Sequence, residues 1–382
     1  MKENIFSDDE IFLFKAIVSG LKFPGIQQEK QRLWRLINEY NIFNPPYLCS
    51  RNLNLPVFSP EQSQQLESLY LQSSSRYYFQ KRHTVEIIRT LEESYIAAIP
   101  LKGVFLNELI YGNAVMRRTS WDIDILVKRE DYRRVKDILY KQGYQSSDVH
   151  YVGEGINMQA HFVNSEGSII DLGFKFTTNY RMPDISESEY WQRTSSVKVR
   201  DVTLKTLSKE MTFIYLCVLI IKDNRLDFIR PLHLLDMHFF LMRYKDNLDY
   251  RCIGDIIRKN LFNVYVLNVL NMLEDISGCR YGLDRNFLKR IHISTWRKNV
   301  VLFALLKLRN KNNNHGLKYI FLCNIAYSYG YLSCAVSWLM RTLKCQHVTY
   351  LKENNLGNNY MSWLRHLLRF IFNFIKENSS FS

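Results

Sequence analysis

Apolar and polar positions change period several times along the chain, and the changes divide it. Over residues 1–94 the apolar positions recur at helical spacing. Ser7 stands ahead of Asp8, Asp9 and Glu10, a cap followed by acids in a first turn. Leu33, Trp34, Leu36 and Ile37 form a stripe within residues 26–40, and Asn44-Pro45-Pro46 breaks the run. Ser59-Pro60-Glu61 opens a long helix that continues through Tyr77, Val85, Ile88 and Leu91. Residues 95–103 (YIAAIPLKG) then read as an apolar strand, followed by a helix on Val104, Phe105, Leu106, Leu109 and Ile110.

A second strand spans residues 122–127, and a helix with the stripe Tyr132, Val135, Ile138 and Leu139 ends at Gly143. Runs at 157–163 and 168–174 flank Asn164-Ser165-Glu166-Gly167, which predicts a hairpin. Residues 191–205 are polar and read as a crossing segment. Helical patterns follow at 211–221, 226–241 and 255–273. The expected fold is an α/β (α+β) core with a mixed sheet, flanked by N-terminal helices and an all-helical C-terminal region. The expected divisions are 1–94, 95–200 and 201–382.

The candidate chemistry sits in the central part. Asp122 and Asp124 are two residues apart in a strand, so they share one face, while Ile123, Ile125 and Val127 suit the buried one. Two adjacent like charges favour a cation between them, and hard oxygen donors favour Mg²⁺ or Mn²⁺. A DxD pair also arises on plain solvated strands. Gly103 lies at a strand-to-helix junction, where backbone N–H groups and the helix N-terminus suit a phosphate. Asp171, between Ile170 and Leu172, is a candidate third carboxylate; a salt bridge to a nearby base is the alternative. His161 lies on the partner strand of the hairpin, a position that more often serves packing or surface.

The sequence Leu101-Lys102-Gly103, then Arg118, then Asp122-Ile123-Asp124 with Ile125-Leu126-Val127, resembles the polymerase-beta-type nucleotidyltransferase superfamily. More narrowly it is similar to a bacterial family of uncharacterised nucleotidyltransferases, in which LKG replaces the superfamily's Gly-Ser pair. The resemblance implies that Asp122, Asp124 and Asp171 are catalytic and hold Mg²⁺ or Mn²⁺. It also implies that Lys102, Gly103 and Arg118 meet the nucleotide's phosphates. The implied reaction moves a nucleoside monophosphate from an NTP, ATP being favoured, to an unidentified hydroxyl on a small molecule, glycan precursor or protein. Where the family pattern has an acid, Leu, His and an aromatic, this chain reads Asp171-Leu172-Gly173-Phe174, without the histidine. Asp236, after Leu234-Leu235, resembles part of a C-terminal helix of the family; it could face the active site, but a helix surface position is expected for it.

Composition adds bounds. The 382 residues are 47% hydrophobic, enough for a substantial core, and carry a formal charge of +14. That charge favours acidic partners, but lysines and arginines are spread along the chain and do not favour nucleic acid. Seven scattered cysteines without a CxxC pair argue against a disulfide framework or a zinc site. The start, MKENIFSDDE, has no signal-peptide pattern, so a cytoplasmic protein is expected. Residues 319–340 are uncharged but rich in polar groups, and read as buried helix rather than a membrane span. Residues 363–376 form a basic amphipathic pattern, either a last core helix or a peripheral contact with the inner membrane face. A catalytically inactive nucleotide-binding or regulatory protein, and a membrane-surface accessory protein of envelope polysaccharide synthesis, remain alternative readings.

Overall fold

A mixed sheet of five strands carries the candidate residues, and among the described residues helices precede and follow it. The computed structural model describes residues 6–21, 27–53, 57–112, 114–117, 122–146, 159–175, 185–199, 202–224, 231–260 and 262–292. In chain order, α1 (Asp8–Val18), α2 (Gln27–Tyr40), α3 (Asn44–Leu53) and α4 (Pro60–Glu93) precede β1 (Ala98–Pro100) and α5 (Val104–Tyr111). There follow β2 (Asp122–Val127), α6 (Tyr132–Lys141), β3 (Gln145–Ser146), β4 (Gln159–Val163) and β5 (Ile169–Gly173). The chain continues through α7 (Glu187–Gln192), β6 (Thr194–Val199), β7 (Val202–Leu207), α8 (Lys209–Asn224) and α9 (Pro231–Tyr244). The described part ends with α10 (Tyr250–Lys259), α11 (Asn263–Ser277) and α12 (Arg285–Arg290). All of these elements belong to one compact unit.

The first sheet runs β1-β2-β5-β4-β3. β2 and β5 are parallel; the β1–β2, β4–β5 and β3–β4 pairs are antiparallel. One face is apolar because β2 and β5 alternate. Ile123, Ile125, Val127, Ile170 and Leu172 turn into a core with Tyr132, Val135 and Leu139 of α6 and Ile88 and Leu91 of α4. The opposite face carries Asp122 and Asp124.

Helix starts follow local chemistry. Ser7 and Ser59 each close a capping box, with Glu10 and Gln62 reaching back to the cap backbone. α2 stops at Tyr40, where Asn41 takes φ +54°, and Asn44-Pro45-Pro46, expected to break the helical run, instead opens α3, because proline is tolerated in a first turn whose N–H groups have no intrahelical acceptor. The segment expected to be a polar crossing is instead the β6–β7 hairpin, whose Val199, Val202 and Leu204 join the sheet core. The helix expected over 255–273 is two. Asn260 ends α10, its side-chain amide donating to the Ile256 carbonyl at 2.9 Å, and α11 begins at Asn263. At the C-terminal side α8 packs on α9 and α11, and α1 from the N-terminal side packs against α9 and α11.

Candidate active site

Register brings the three carboxylates together. In the parallel β2–β5 pair Asp124 stands directly opposite Asp171, and Asp122 opposite Ile169. Residues opposite one another in adjacent strands project to the same face, so the DxD of β2 and the single acid of β5 converge although 47 positions separate Asp124 from Asp171 (171 − 124). One oxygen from each of Asp122, Asp124 and Asp171 lies within 4.8 Å of the others.

The environment of these groups is mostly dry. Asp124 and Asp171 are each 7% exposed. The Lys102 ammonium lies 2.5 Å from Asp124 Oδ1. The other oxygen, Asp124 Oδ2, is buried with no hydrogen-bond partner. A buried, unpartnered carboxylate oxygen is costly, which fits a donor awaiting a ligand. Asp171 Oδ1 contacts Nδ1 of His161, which the antiparallel register of β4 places directly across from it. Burial pushes the Asp171 carboxyl up to about 7; Asp124 and Asp122 add to the rise and His161 opposes it. Burial works against the Lys102 ammonium, but Asp124 outweighs it and holds the group charged, above the usual lysine range.

Lys102 and Gly103 sit in the turn between β1 and α5. The Leu101 N–H donates to the Asp124 carbonyl at 3.1 Å and fixes this turn against β2. Gly103, the residue before α5, has φ +53°, and no side chain caps the helix start there. This backbone conformation favours glycine, and a Cβ built at the position meets nothing within 4 Å. The turn is therefore open above Gly103, at the positive end of a helix.

A second polar network, which no short stretch of sequence assembles, joins α9 to the segment ahead of β2. Asp236 of α9 is wholly buried, contrary to the surface position expected for it. Its Oδ2 accepts from Arg117 Nε at 2.7 Å and its Oδ1 from the Tyr111 hydroxyl at 2.9 Å. Asn107 of α5 donates to the Ala114 carbonyl at 2.9 Å and accepts from the Arg117 N–H at 3.2 Å. Asn44 donates to the Arg117 carbonyl at 3.3 Å. These bonds pin residues 114–117, the segment just ahead of β2. Tyr215 of α8 is buried within electrostatic reach of Lys102, Asp124 and Arg117. An acid inside the apolar run Leu234-Leu235-Asp236-Met237 was the one sequence signal for this network.

Of the predicted site residues, Asp122, Asp124, Asp171, Lys102 and Gly103 lie in one neighbourhood. Arg118 lies outside the described residues, as do segments 319–340 and 363–376. Among the described residues no helix is long and apolar enough to cross a membrane.

Neither a curated protein nor a solved structure matches the chain. The sequence profile of a family described as "Uncharacterised nucleotidyltransferase" matches residues 27–276, which runs from α2 into α11 and takes in the carboxylate cluster, the Lys102–Gly103 turn and Asp236. That match covers well over half of the chain, and the chain belongs to this family of uncharacterised nucleotidyltransferases.

Proposed function

We propose that the protein is a divalent-cation-dependent nucleotidyltransferase that moves a nucleoside monophosphate from an NTP to a hydroxyl acceptor. The observation that carries this reading is the convergence of three carboxylates, one of which keeps a buried oxygen without a partner. The donor set fits: hard anionic oxygens a few ångströms apart suit Mg²⁺ or Mn²⁺ held by Asp122, Asp124 and Asp171. Divalent cations in such a site supply charge neutralisation for a triphosphate and for the oxygens that enter and leave in an in-line displacement.

The chain's own groups divide the remaining work. The Gly103 turn offers backbone approach to phosphate at the start of α5. The acceptor oxygen forms its bond to the α-phosphorus as the bond to the bridging oxygen of the β-phosphate breaks. Asp171 is assigned the proton that the acceptor hydroxyl loses. Pyrophosphate leaves with the electron pair, and Lys102 neutralises its charge. ATP is the favoured donor; the acceptor is a small molecule, a glycan precursor or a protein.

The test is incubation with each labelled NTP, Mg²⁺ or Mn²⁺, and cell extract. Label should pass to an acceptor with release of pyrophosphate, and Asp122→Ala and Asp171→Ala should abolish the transfer. Transfer that survives in either variant contradicts the assignment. Cation-dependent nucleotide binding without pyrophosphate release would identify a non-catalytic binding protein instead.

A further inference from the structure

We propose that Lys102 is an internal counter-ion of Asp124, that a divalent cation drives it away by charge repulsion, and that the displaced ammonium becomes a phosphate ligand. The proposal rests on reading the carboxylate cluster as a metal site and adds a two-position role for one residue.

The geometry supplies the competition. Asp124 has two oxygens; Lys102 Nζ holds Oδ1 at 2.5 Å, and Oδ2 is buried without a partner. A cation shared among Asp122, Asp124 and Asp171 would have the ammonium against the same carboxylate, and like charges at such distances in a poorly solvated site repel strongly. The Asp124 side chain is only 6% exposed, so water screens this repulsion weakly. The repulsion is relieved if the lysine leaves.

A destination for the freed ammonium lies beside it. Lys102 is anchored by its backbone in the β1–α5 turn, because the Leu101 N–H donates to the Asp124 carbonyl. Its four-carbon stem can move the ammonium while that anchor stays fixed. The next residue is Gly103, whose surroundings are open and which begins α5. A phosphate at that helix start would lie beside the freed ammonium. The same charge thus satisfies a buried carboxylate before loading and an anion after it. Cation and polyphosphate should then bind cooperatively, since each favours the state of Lys102 that the other needs.

The test uses the full chain, Mn²⁺ followed by electron paramagnetic resonance, and inorganic tripolyphosphate followed by calorimetry. Lys102→Met should bind Mn²⁺ alone at least tenfold more tightly than wild type. With Mn²⁺ saturating, it should bind tripolyphosphate at least tenfold more weakly. The opposite signs are the signature; a lysine that only supports the fold would weaken both. A second measurement needs no substitution: acetic anhydride labelling of Lys102, read by mass spectrometry, should rise when Mn²⁺ is added and fall again with tripolyphosphate. Labelling that Mn²⁺ leaves unchanged, or equal Mn²⁺ affinity in Lys102→Met and wild type, overturns the proposal. Asp124→Asn separates the two levels. If it abolishes Mn²⁺ binding while Lys102→Met changes nothing, only the role of Lys102 fails. If it leaves Mn²⁺ binding intact, the metal site itself fails.

Discussion

Asp236→Ala should be among the most destabilising single substitutions in the described part of the chain. The carboxylate is fully buried and both of its oxygens are used, one by Arg117 Nε at 2.7 Å and one by the Tyr111 hydroxyl at 2.9 Å. Arg117 is itself 5% exposed, and proximity to Asp236 holds its guanidinium charged against the effect of burial. Alanine leaves that charge without its counter-ion and the tyrosine hydroxyl without its acceptor. Breaking a buried pair by removing one partner costs about 3–5 kcal/mol. An orphaned neutral donor adds about 1–3 kcal/mol when no water reaches it. A loss of at least about 4 kcal/mol is therefore expected, a large part of the stability of an ordinary domain. Urea unfolding followed by circular dichroism measures it. A loss under about 1 kcal/mol would refute the reasoning. The double variant Arg117→Met with Asp236→Leu provides the internal control, because apolar replacement of the ion pair is close to neutral and leaves only the about 1–3 kcal/mol of the orphaned Tyr111 hydroxyl. If the double variant is as unstable as Asp236→Ala, lost shape rather than unpaired charge explains the effect.

Three further outcomes follow from particular residues. His238 is buried, with Nδ1 2.6 Å from the Tyr281 hydroxyl and its ring edge-on to Phe14; burial pushes its pKa down to about 4. The folded value lies below the unfolded value of about 6.5, so the unfolded chain binds the extra proton. Stability should be constant in this respect above pH 6.5 and fall by up to ~1.4 kcal/mol per unit between pH 6.5 and 4; urea midpoints across that window should flatten in His238→Gln. Gly103→Ala should cost about 1–3 kcal/mol from backbone strain at φ +53°, with no steric part because the space above is open; thermal melts of Gly103→Ala that match wild type would contradict this. Ser59→Ala should cost ~1 kcal/mol through loss of the capping box with Gln62, and Ser59→Asp should restore most of it, both read from urea unfolding.

The carboxylate pair could be read from sequence because its geometry is local. Alternation fixes which face Asp122 and Asp124 share as soon as 122–127 is recognised as a strand. Asp171 is legible as an acid in an apolar strand and through its match to the family pattern, not from geometry. Its arrival opposite Asp124 depends on β2 and β5 pairing in parallel, a long-range register that no short stretch encodes. The same limit governs His161, which meets Asp171 through the register of β4. The Asp236 network lies further out of reach. Its members come from α3, the end of α5, the segment ahead of β2 and α9, and apart from the acid within the apolar run of α9 none is distinctive alone. Polarity misled the reading of 191–205 for a related reason. Thr and Ser on the exposed face of the β6–β7 hairpin mask the alternating Val199, Val202 and Leu204 that bury against the sheet. What can be read locally is therefore the carboxylate-bearing edge of the site. What holds that edge in place is a set of tertiary contacts, and the Asp236 variant tests those contacts apart from the carboxylates themselves.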